Sequence, residues 1–431
     1  MRSVGFYTLG CKVSQYETEA IAEEFERCGY VLNDFSDTND VYVINTCTVT
    51  AEADRKSRQI IRRAKKKNPN AKIIVCGCYS QRSPEEVLNI DAVDAVIGSS
   101  GKMKAPAIAE RLFAGAEKIF EVTDVNLEPF EDMKITRGPR TRVYVKIEDG
   151  CESKCTYCAI PSARGNVRSK ARESVIAEVE ALSASGVPEI VLTGIETGSY
   201  GADFNNGYRL KDLIRELDER KSAKSIRLGS LAPELIGKDF VDTVKDLKIL
   251  APHFHLSIQS GSDNVLRGMK RRYSRAMALE NIRRIREAIP SASFTTDVMV
   301  GFPGETDADF LDTVSFIEEV GFLDAHVFAY SRRKNTPAES YQNQIPESVK
   351  RERSEKLIKV VKNVRHKVLS SIVEKKEPLV CIFEELRDEG WYGHSSTFAE
   401  VIVAAEENLH GVQKEVLPLS VKNGIIYGKL I

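Results

Sequence analysis

The stretch Val143-Tyr144-Val145-Lys146-Ile147-Glu148-Asp149-Gly150-Cys151-Glu152-Ser153-Lys154-Cys155-Thr156-Tyr157-Cys158 decides the reading of this chain. Its first five residues form a strand-like run, and a tight loop carrying C-x3-C-x2-C follows at once. Five more strand-like runs come after it, at residues 190–193, 226–230, 254–259, 294–300 and 325–330. Amphipathic helical segments lie between them, including residues 174–185, 210–219, 276–288 and 307–320. Six βα units in succession predict a partial, six-stranded relative of the β/α barrel, with its chemistry at the strand carboxyl ends. A basic helix from residue 348 to about residue 370 would close it.

Toward the amino terminus, apolar runs at residues 4–9, 41–44, 73–76 and 92–97 alternate with helical patterns such as 17–27 and 51–67. That alternation is the signature of βαβ units and an open parallel sheet, whose functional loops follow the strand carboxyl ends. Cys11, Cys47 and Cys78 each fall two or three residues beyond one of the first three runs, so three thiols converge on one sheet edge. Residues 118–140 contain Pro129, Gly138 and Pro139 with little periodicity and read as a linker. In the tail, short alternating runs at residues 378–383, 398–404 and 424–431 predict a small β-barrel. The fold class is α/β in three units: an open parallel sheet over residues 1–125, the partial (β/α)6 barrel over 137–366, and an all-β barrel over 367–431.

A length of 431 residues agrees with about three domains at roughly 150 residues each. Apolar residues at 42% and charged residues at 29% exclude a disordered or membrane composition. With 62 Lys+Arg against 63 Asp+Glu, any polyanion must be met by local basic patches and not by overall charge. The opening MRSVGFYTLG lacks a charged segment followed by a long apolar one, and no apolar run approaches ~18 residues. The expectation is a cytoplasmic protein with no membrane partner. Nine cysteines, an odd count, argue for thiolate ligands over a disulfide framework.

Three thiolates on one tight loop suit three irons of a [4Fe-4S] cluster, whereas structural zinc wants four closed ligands. A zinc knuckle completed by a distant His is the competing reading. The open fourth iron would be free to chelate the amino and carboxylate groups of S-adenosylmethionine (SAM), and an electron delivered there cleaves the sulfonium to a carbon radical. Barrel logic makes Gly194, Ser230 and Gln259, at the ends of the second, third and fourth strands, candidate SAM contacts. Each is equally readable as a turn or core-polar residue. Cys11, Cys47 and Cys78 taken alone could be ordinary buried thiols. Cys76, inside a strand run but two residues from Cys78, reads as core, and Cys28 and Cys381 as packing residues.

With Tyr157 before its last cysteine, the loop motif resembles the radical SAM superfamily, and the remainder resembles its methylthiotransferase branch. Thr8-Leu9-Gly10-Cys11-Lys12-Val13, Asn45-Thr46-Cys47-Thr48-Val49, Cys76-Gly77-Cys78-Tyr79-Ser80-Gln81, residues 253–261, residues 267–273 and Gly301-Phe302-Pro303-Gly304-Glu305-Thr306 stand in order where that family's motifs do. The resemblance implies that Cys151, Cys155 and Cys158 hold a radical-generating cluster with Tyr157 beside SAM. It implies that Cys11, Cys47 and Cys78 hold a second [4Fe-4S] cluster, where sulfur is methylated and inserted into a C–H bond. SAM would serve as methyl donor and radical source, and the partners would be tRNA, a reduced electron-donor protein and a sulfur source. Residues 8–19, with Ser14 where an Asn is common, and Trp391-Tyr392-Gly393-His394-Ser395-Ser396 are similar to the branch that modifies threonylcarbamoyladenosine beside the anticodon. Sister branches act on isopentenyladenosine in tRNA or on a ribosomal-protein aspartate, and a non-catalytic iron-sulfur RNA-binding protein is a reading of another class. The tail resembles a TRAM module. Glu196 stands where related chains vary, and Ala232 where the family usually carries Glu.

An RNA substrate predicts basic surface. Residues 55–67 hold eight Lys/Arg and no acid, residues 267–275 hold five and none, and Arg332, Arg333 and Lys334 follow the sixth strand run. Arg271 and Arg272 are the expected phosphate contacts, and Arg332 and Arg333 the expected cations for an anionic threonylcarbamoyl group. The bland reading of each is a solvated surface residue. From residue 367 onward there are 7 Lys/Arg and 10 Asp/Glu. The tail therefore either touches RNA through a few residues such as Lys375, Lys376 and Trp391, or packs on the central barrel. No side chain is singled out as a general acid or base.

Overall fold

The computed structural model describes residues 1–138 and 141–431; of the expected linker, Pro139 and Arg140 lie outside the described residues. Strands β1 (Ser3–Thr8), β2 (Val31–Asn33), β3 (Val41–Thr46), β4 (Lys72–Gly77), β5 (Ala95–Ile97) and β6 (Ile119–Glu121) form a parallel sheet in the order β2-β1-β3-β4-β5-β6. Helices Lys12–Arg27 and Ala105–Phe113 cover one face through Ile21, Phe25, Ile108 and Leu112, and helix Ala51–Lys67 covers the other through Ile61 and Ala64. Coverage on both faces explains why β3 is buried along its whole length. The strand order reverses between β1 and β3, the point where such sheets hold their ligands.

Two strands of this sheet depart from the sequence expectation. β2 and β6 are three-residue strands at the sheet edges, too short to show an alternation, and β6 falls inside the segment read as linker. β3 and β4 also outrun their apolar cores, because Asn45 pairs with Cys76 and Thr46 with Gly77 in the ladder. Asn45 is buried there and donates to Ser14 O and Thr18 Oγ1.

The central region contains β7 (Arg142–Lys146), the short antiparallel pair β8 (Glu148–Asp149) and β9 (Arg168–Ser169), then β10 (Glu189–Thr193), β11 (Ile226–Leu228), β12 (Ser230–Leu231), β13 (His253–Gln259), β14 (Ser293–Val300) and β15 (Asp324–Ala329). The expected third barrel strand is split at Gly229. β11 pairs with β10, and β12 pairs with β13, so two parallel sheets make six positions of one arc. A Cβ on residue 229 would sit 2.6 Å from Thr197 Oγ1 and 3.1 Å from Leu192 O, so only glycine lets the chain press onto β10 at the break. Helix Lys12–Arg27 packs against the barrel, where Tyr16 and Ala20 join the core. The sheet region and the barrel thereby share one wall.

The closing helix spans Glu347–Lys375, longer than expected, and the boundary expected at 366/367 falls inside it. It continues because Leu369, Ile372 and Val373 still have apolar partners in the terminal module. That module is a closed barrel of β16 (Leu379–Arg387), β17 (Gly390–Ser395), β18 (Glu400–Val403), β19 (Gln413–Lys422) and β20 (Ile425–Leu430), ordered β16-β17-β18-β20-β19. Trp391 is buried in its core with Phe383 and Val401 and is not available to stack on RNA. The module docks on the amino-terminal ends of the central strands. Phe398 stacks on His253 with centroids 4.5 Å apart, and Arg142 pairs with Glu384 at 2.8 Å. Among the described residues, no helix is long and apolar enough to cross a membrane.

Candidate active site

The cysteine loop follows β8 and is pinned at both ends. Cys151 N donates to Gly165 O at 2.9 Å and Thr156 N to Met269 O at 3.1 Å. Each sulfur then receives one N–H: Ser153 N to Cys151 Sγ at 3.4 Å, Ile160 N to Cys158 Sγ at 3.4 Å, and Arg271 Nη1 to Cys155 Sγ at 3.3 Å. Donors aimed at sulfur are what iron-sulfur ligation asks of its surroundings. Without a metal, burial pushes Cys151 up to about 11 and Cys158 up to about 12, and the neighbouring thiols add to the rise at Cys158. Bound iron inverts that logic by deprotonating its ligands. Among the described residues, no three of His, Cys, Asp and Glu converge on a single ion. A cuboidal cluster asks for something different, one thiolate on each of three irons.

A cavity of about 360 Å³ opens beside this loop, lined by Tyr157, Cys158, Gln259, Asp297, Met299 and Tyr330 from the barrel side and by Val49 and Thr50 from the sheet side. Gln259 Oε1 in its wall is buried without a partner among the described residues, as are Glu148 Oε1, Glu234 Oε2 and Arg271 Nε elsewhere in the structure. Orphaned buried polar atoms point to a missing ligand. Acids close to the loop suit SAM, whose sulfonium and ammonium are both cationic. Burial pushes Glu196 up to about 7, and its Oε1 accepts Ala232 N–H at 2.9 Å. An acid from the second strand's loop thus bonds the position where Ala232 replaces the family's Glu.

Of the four expected SAM contacts, Tyr157 and Gln259 line the cavity, whereas Gly194 and Ser230 are not in its wall. A Cβ on residue 194 would meet Glu148 Oε2 at 2.5 Å, so this glycine makes room for a carboxylate of the chain itself. Ser230 Oγ is occupied by Ser257 Oγ at 2.7 Å. In the cavity wall, Asp297 is held below its usual value although burial alone would raise it. The His255 hydrogen bond outweighs burial, helped by the charges of His255, His326 and Lys12.

The amino-terminal cysteines follow the carboxyl ends of β1, β3 and β4, at and beside the sheet's switch point. Cys11 is the N-cap of helix Lys12–Arg27, Cys47 follows β3 directly, and Cys78 opens helix Cys78–Arg82 straight after β4. Burial pushes Cys47 up to about 12, and the thiols of Cys78 and Cys11 push in the same direction. Cys76 points elsewhere, into the core with Ile74 and Ile97, and burial alone is the main cause of its rise to about 12.

A profile of the radical SAM superfamily matches residues 145–317, and one described as Uncharacterized protein family UPF0004 matches residues 3–98. The threonylcarbamoyladenosine tRNA methylthiotransferase MtaB of Bacillus subtilis (strain 168) is 39% identical over 419 residues, covering 95% of this chain and 92% of its own. The chain belongs to the radical SAM methylthiotransferase family. As a member it is a transferase that uses SAM and a [4Fe-4S] cluster. A tRNA-2-methylthio-N(6)-dimethylallyladenosine synthase of Clostridium perfringens (strain SM101 / Type A) is 33% identical, covering 85% of each chain. The radical SAM methyltransferase TsrM of Kitasatospora setae shares the fold with a TM-score of 0.58 and 16% identity, over 78% of this chain and 77% of that one.

In this methylthiotransferase the basic residues expected at the site have different surroundings. Arg271 turns inward: besides Cys155 it bonds Ser257 O at 3.0 Å and lies 5.0 Å from the Tyr273 ring, so it is no open phosphate contact. Arg272 is exposed. Arg333 is buried and donates to Thr48 Oγ1 at 2.9 Å and Asp54 Oδ2 at 2.6 Å, which uses the cation that was expected to read substrate. Arg332 beside it is exposed and forms no ion pair among the described residues. On helix Ala51–Lys67, Arg55, Arg58 and Lys65 pair with Glu52, Glu86 and Asp94, leaving Lys56, Arg62, Arg63 and Lys66 exposed without ion pairs among the described residues.

Sequence reading missed the buried ion network of Glu17, Lys102, Lys146, Asp149 and Arg164 that lies between the two cysteine sites. One signal was available. Lys146 sits inside the apolar run that opens the barrel, and a charge there needs a buried partner.

Proposed function

We propose that this enzyme inserts a methylthio group at C2 of threonylcarbamoyladenosine beside the anticodon of tRNA. In this reading Cys151, Cys155 and Cys158 hold the cluster that cleaves SAM, and Cys11, Cys47 and Cys78 hold a second [4Fe-4S] cluster that carries the sulfur. The observation that carries it is the shared cavity: Val49 and Thr50, just past Cys47, line the same space as Tyr157 and Cys158. A substrate presented from the sheet side would therefore share one space with SAM held on the barrel side.

When bound, the clusters and SAM supply the radical, the methyl group and the sulfur. The chain's own part is to bind and orient. Tyr157 and Gln259 would lie against SAM, and His326, which lines the same cavity, would offer a donor to an anionic threonylcarbamoyl group. An isopentenyl group would ask for an apolar wall instead. The higher identity to the threonylcarbamoyladenosine relative supports the same branch. Arg332 is the remaining cation after the sixth strand, and Arg272 with Lys56, Arg62, Arg63 and Lys66 supplies surface for phosphates. The three units are residues 1–125, 137 to the closing helix, and a TRAM-like terminal barrel. The reaction would also draw on a reduced electron-donor protein and a sulfur source, and a tRNA substrate supports a cytoplasmic location.

The test is nucleoside mass spectrometry of tRNA from cells with and without the gene. Loss of 2-methylthio-threonylcarbamoyladenosine alone is expected. Loss of the methylthio group from isopentenyladenosine would overturn the branch, and no change in either would overturn a tRNA substrate.

A further inference from the structure

Arg164 ends helix Ile160–Arg164, which begins two residues after Cys158, and its side chain is completely buried. It reaches out of the radical loop into the sheet region. There its Nε donates to Cys78 Sγ at 3.1 Å. Three more of its N–H groups meet carboxylates: Nη1 meets Glu17 Oε1 at 2.5 Å and Asp149 Oδ2 at 3.1 Å, and Nη2 meets Glu17 Oε2 at 3.1 Å. Lys146 binds both carboxylates, at 2.9 Å and 2.6 Å, and Lys102 closes on Glu17.

Counting charges shows what the network lacks. Three cations (Lys102, Lys146 and Arg164) face two carboxylates (Glu17 and Asp149), even leaving out Arg168 at 3.9 Å from Asp149. A buried net positive charge is costly unless something compensates it. The sulfur of Cys78 is the group to which Arg164 offers its Nε–H, so an anionic ligand sulfur would balance the set. A hydrogen bond and a cation at a cluster sulfur stabilise the more negative, reduced state and raise the reduction potential.

We infer that Arg164 is a positioning residue for the amino-terminal cluster: through its Nε–H bond it holds Cys78 Sγ and raises that cluster's reduction potential from the barrel side. The inference rests on the proposal that Cys11, Cys47 and Cys78 hold a cluster. Its geometry is specific to arginine, since a lysine keeps the charge but cannot span sulfur and both carboxylates at once.

The experiment uses the full chain with Cys151, Cys155 and Cys158 changed to Ala, so that only the amino-terminal cluster forms on anaerobic reconstitution. Iron content and a redox titration followed by electron paramagnetic resonance are then measured with Arg164, Arg164→Lys and Arg164→Gln. The expected result is a cluster in all three, with the midpoint potential falling from Arg to Lys to Gln. Lys102→Gln removes a charge from the same network without touching sulfur and should shift the potential less. If Arg164→Gln does not fold, Arg164→Lys, which preserves the charge count, still must lower the potential. A loaded Arg164→Lys cluster with an unchanged potential overturns the role of the hydrogen bond, as do equal shifts from Lys102→Gln and Arg164→Gln. Absence of iron in the parent triple variant overturns the second cluster itself, a different failure.

Discussion

Arg333 Nη2 lies 2.6 Å from Asp54 Oδ2, and this pair crosses from the loop after the sixth barrel strand to the first turn of the helix behind Cys47. Thr48 Oγ1 accepts from the same nitrogen at 2.9 Å. The contact fixes the Cys47 loop over the barrel mouth. Removing one partner of such a pair leaves a poorly solvated charge, so Arg333→Ala should cost about 2–4 kcal/mol and lower the thermal midpoint. A double-mutant cycle with Asp54→Ala should return a coupling of at least about 1 kcal/mol. If Arg333→Ala leaves stability unchanged and abolishes methylthiolation, Arg333 serves substrate and not the interface.

Arg271 and Arg272 are adjacent but should behave oppositely. Arg271 bonds Cys155 Sγ and Ser257 O and is mostly buried, so Arg271→Ala should reduce iron retention and formation of 5′-deoxyadenosine. Arg272 bonds only Glu152 O among the described residues and is otherwise exposed. Arg272→Glu should leave 5′-deoxyadenosine intact, weaken tRNA binding, and lower the slope of log affinity against log salt by about 1. Equal losses from both variants in both assays would remove the distinction.

Glu196 gives the site a pH dependence. Burial raises its carboxyl from near 4.5 to about 7. Between those values the folded chain keeps a proton that the unfolded chain has released, so stability falls as pH rises through this window and levels off above it. The full effect is at most about 3.5 kcal/mol, at about 1.4 kcal/mol per unit. Glu196→Gln should flatten the decline of the thermal midpoint between pH 5 and pH 8 and stabilise the apoprotein above pH 7. Glu148, also pushed up by burial, has the same sign and keeps part of the slope. Saturating SAM, a cation, should favour the Glu196 carboxylate and oppose the decline. A slope that Glu196→Gln does not change would mean that Glu196 titrates in its ordinary range.

Much of this architecture is legible in the sequence because two periodicities alternate cleanly. Most of the parallel strands fall within apolar runs of four residues or more, and the cysteines sit where loops must follow them. What escaped has a physical reason in each case. β2 and β6 are too short to carry a pattern, and the break at Gly229 depends on a neighbour, Thr197, that sequence does not place beside it. Arg271 and Arg272 look alike in a row of cations, and only the fold turns one toward sulfur. Glu17, Asp149 and Arg164 are far apart in the chain, so their buried network exists only once helix Lys12–Arg27 is packed on the barrel. Gly194 reads as a ligand approach in the strand pattern because Glu148, the side chain that needs its space, comes from another strand.

The two cysteine sites should separate by function. Two cuboidal clusters require about eight irons per reconstituted chain, and changing either cysteine triad to Ala should remove about half. Cys155 lies in the pinned loop with Arg271 against its sulfur, so Cys155→Ala should yield neither 5′-deoxyadenosine nor methylthio product. Cys47 lies across the cavity beyond β3 and contributes nothing to the SAM-facing loop. Cys47→Ala should therefore still form 5′-deoxyadenosine from SAM under reducing conditions while giving no methylthio product. Because Cys76 is packed into the core with Ile74 and Ile97, Cys76→Ser should keep the full iron content and lose only stability. Methylthio product from Cys47→Ala would show that the sulfur is delivered elsewhere, and full iron in the Cys11, Cys47 and Cys78 triple variant would make Cys76 a ligand after all.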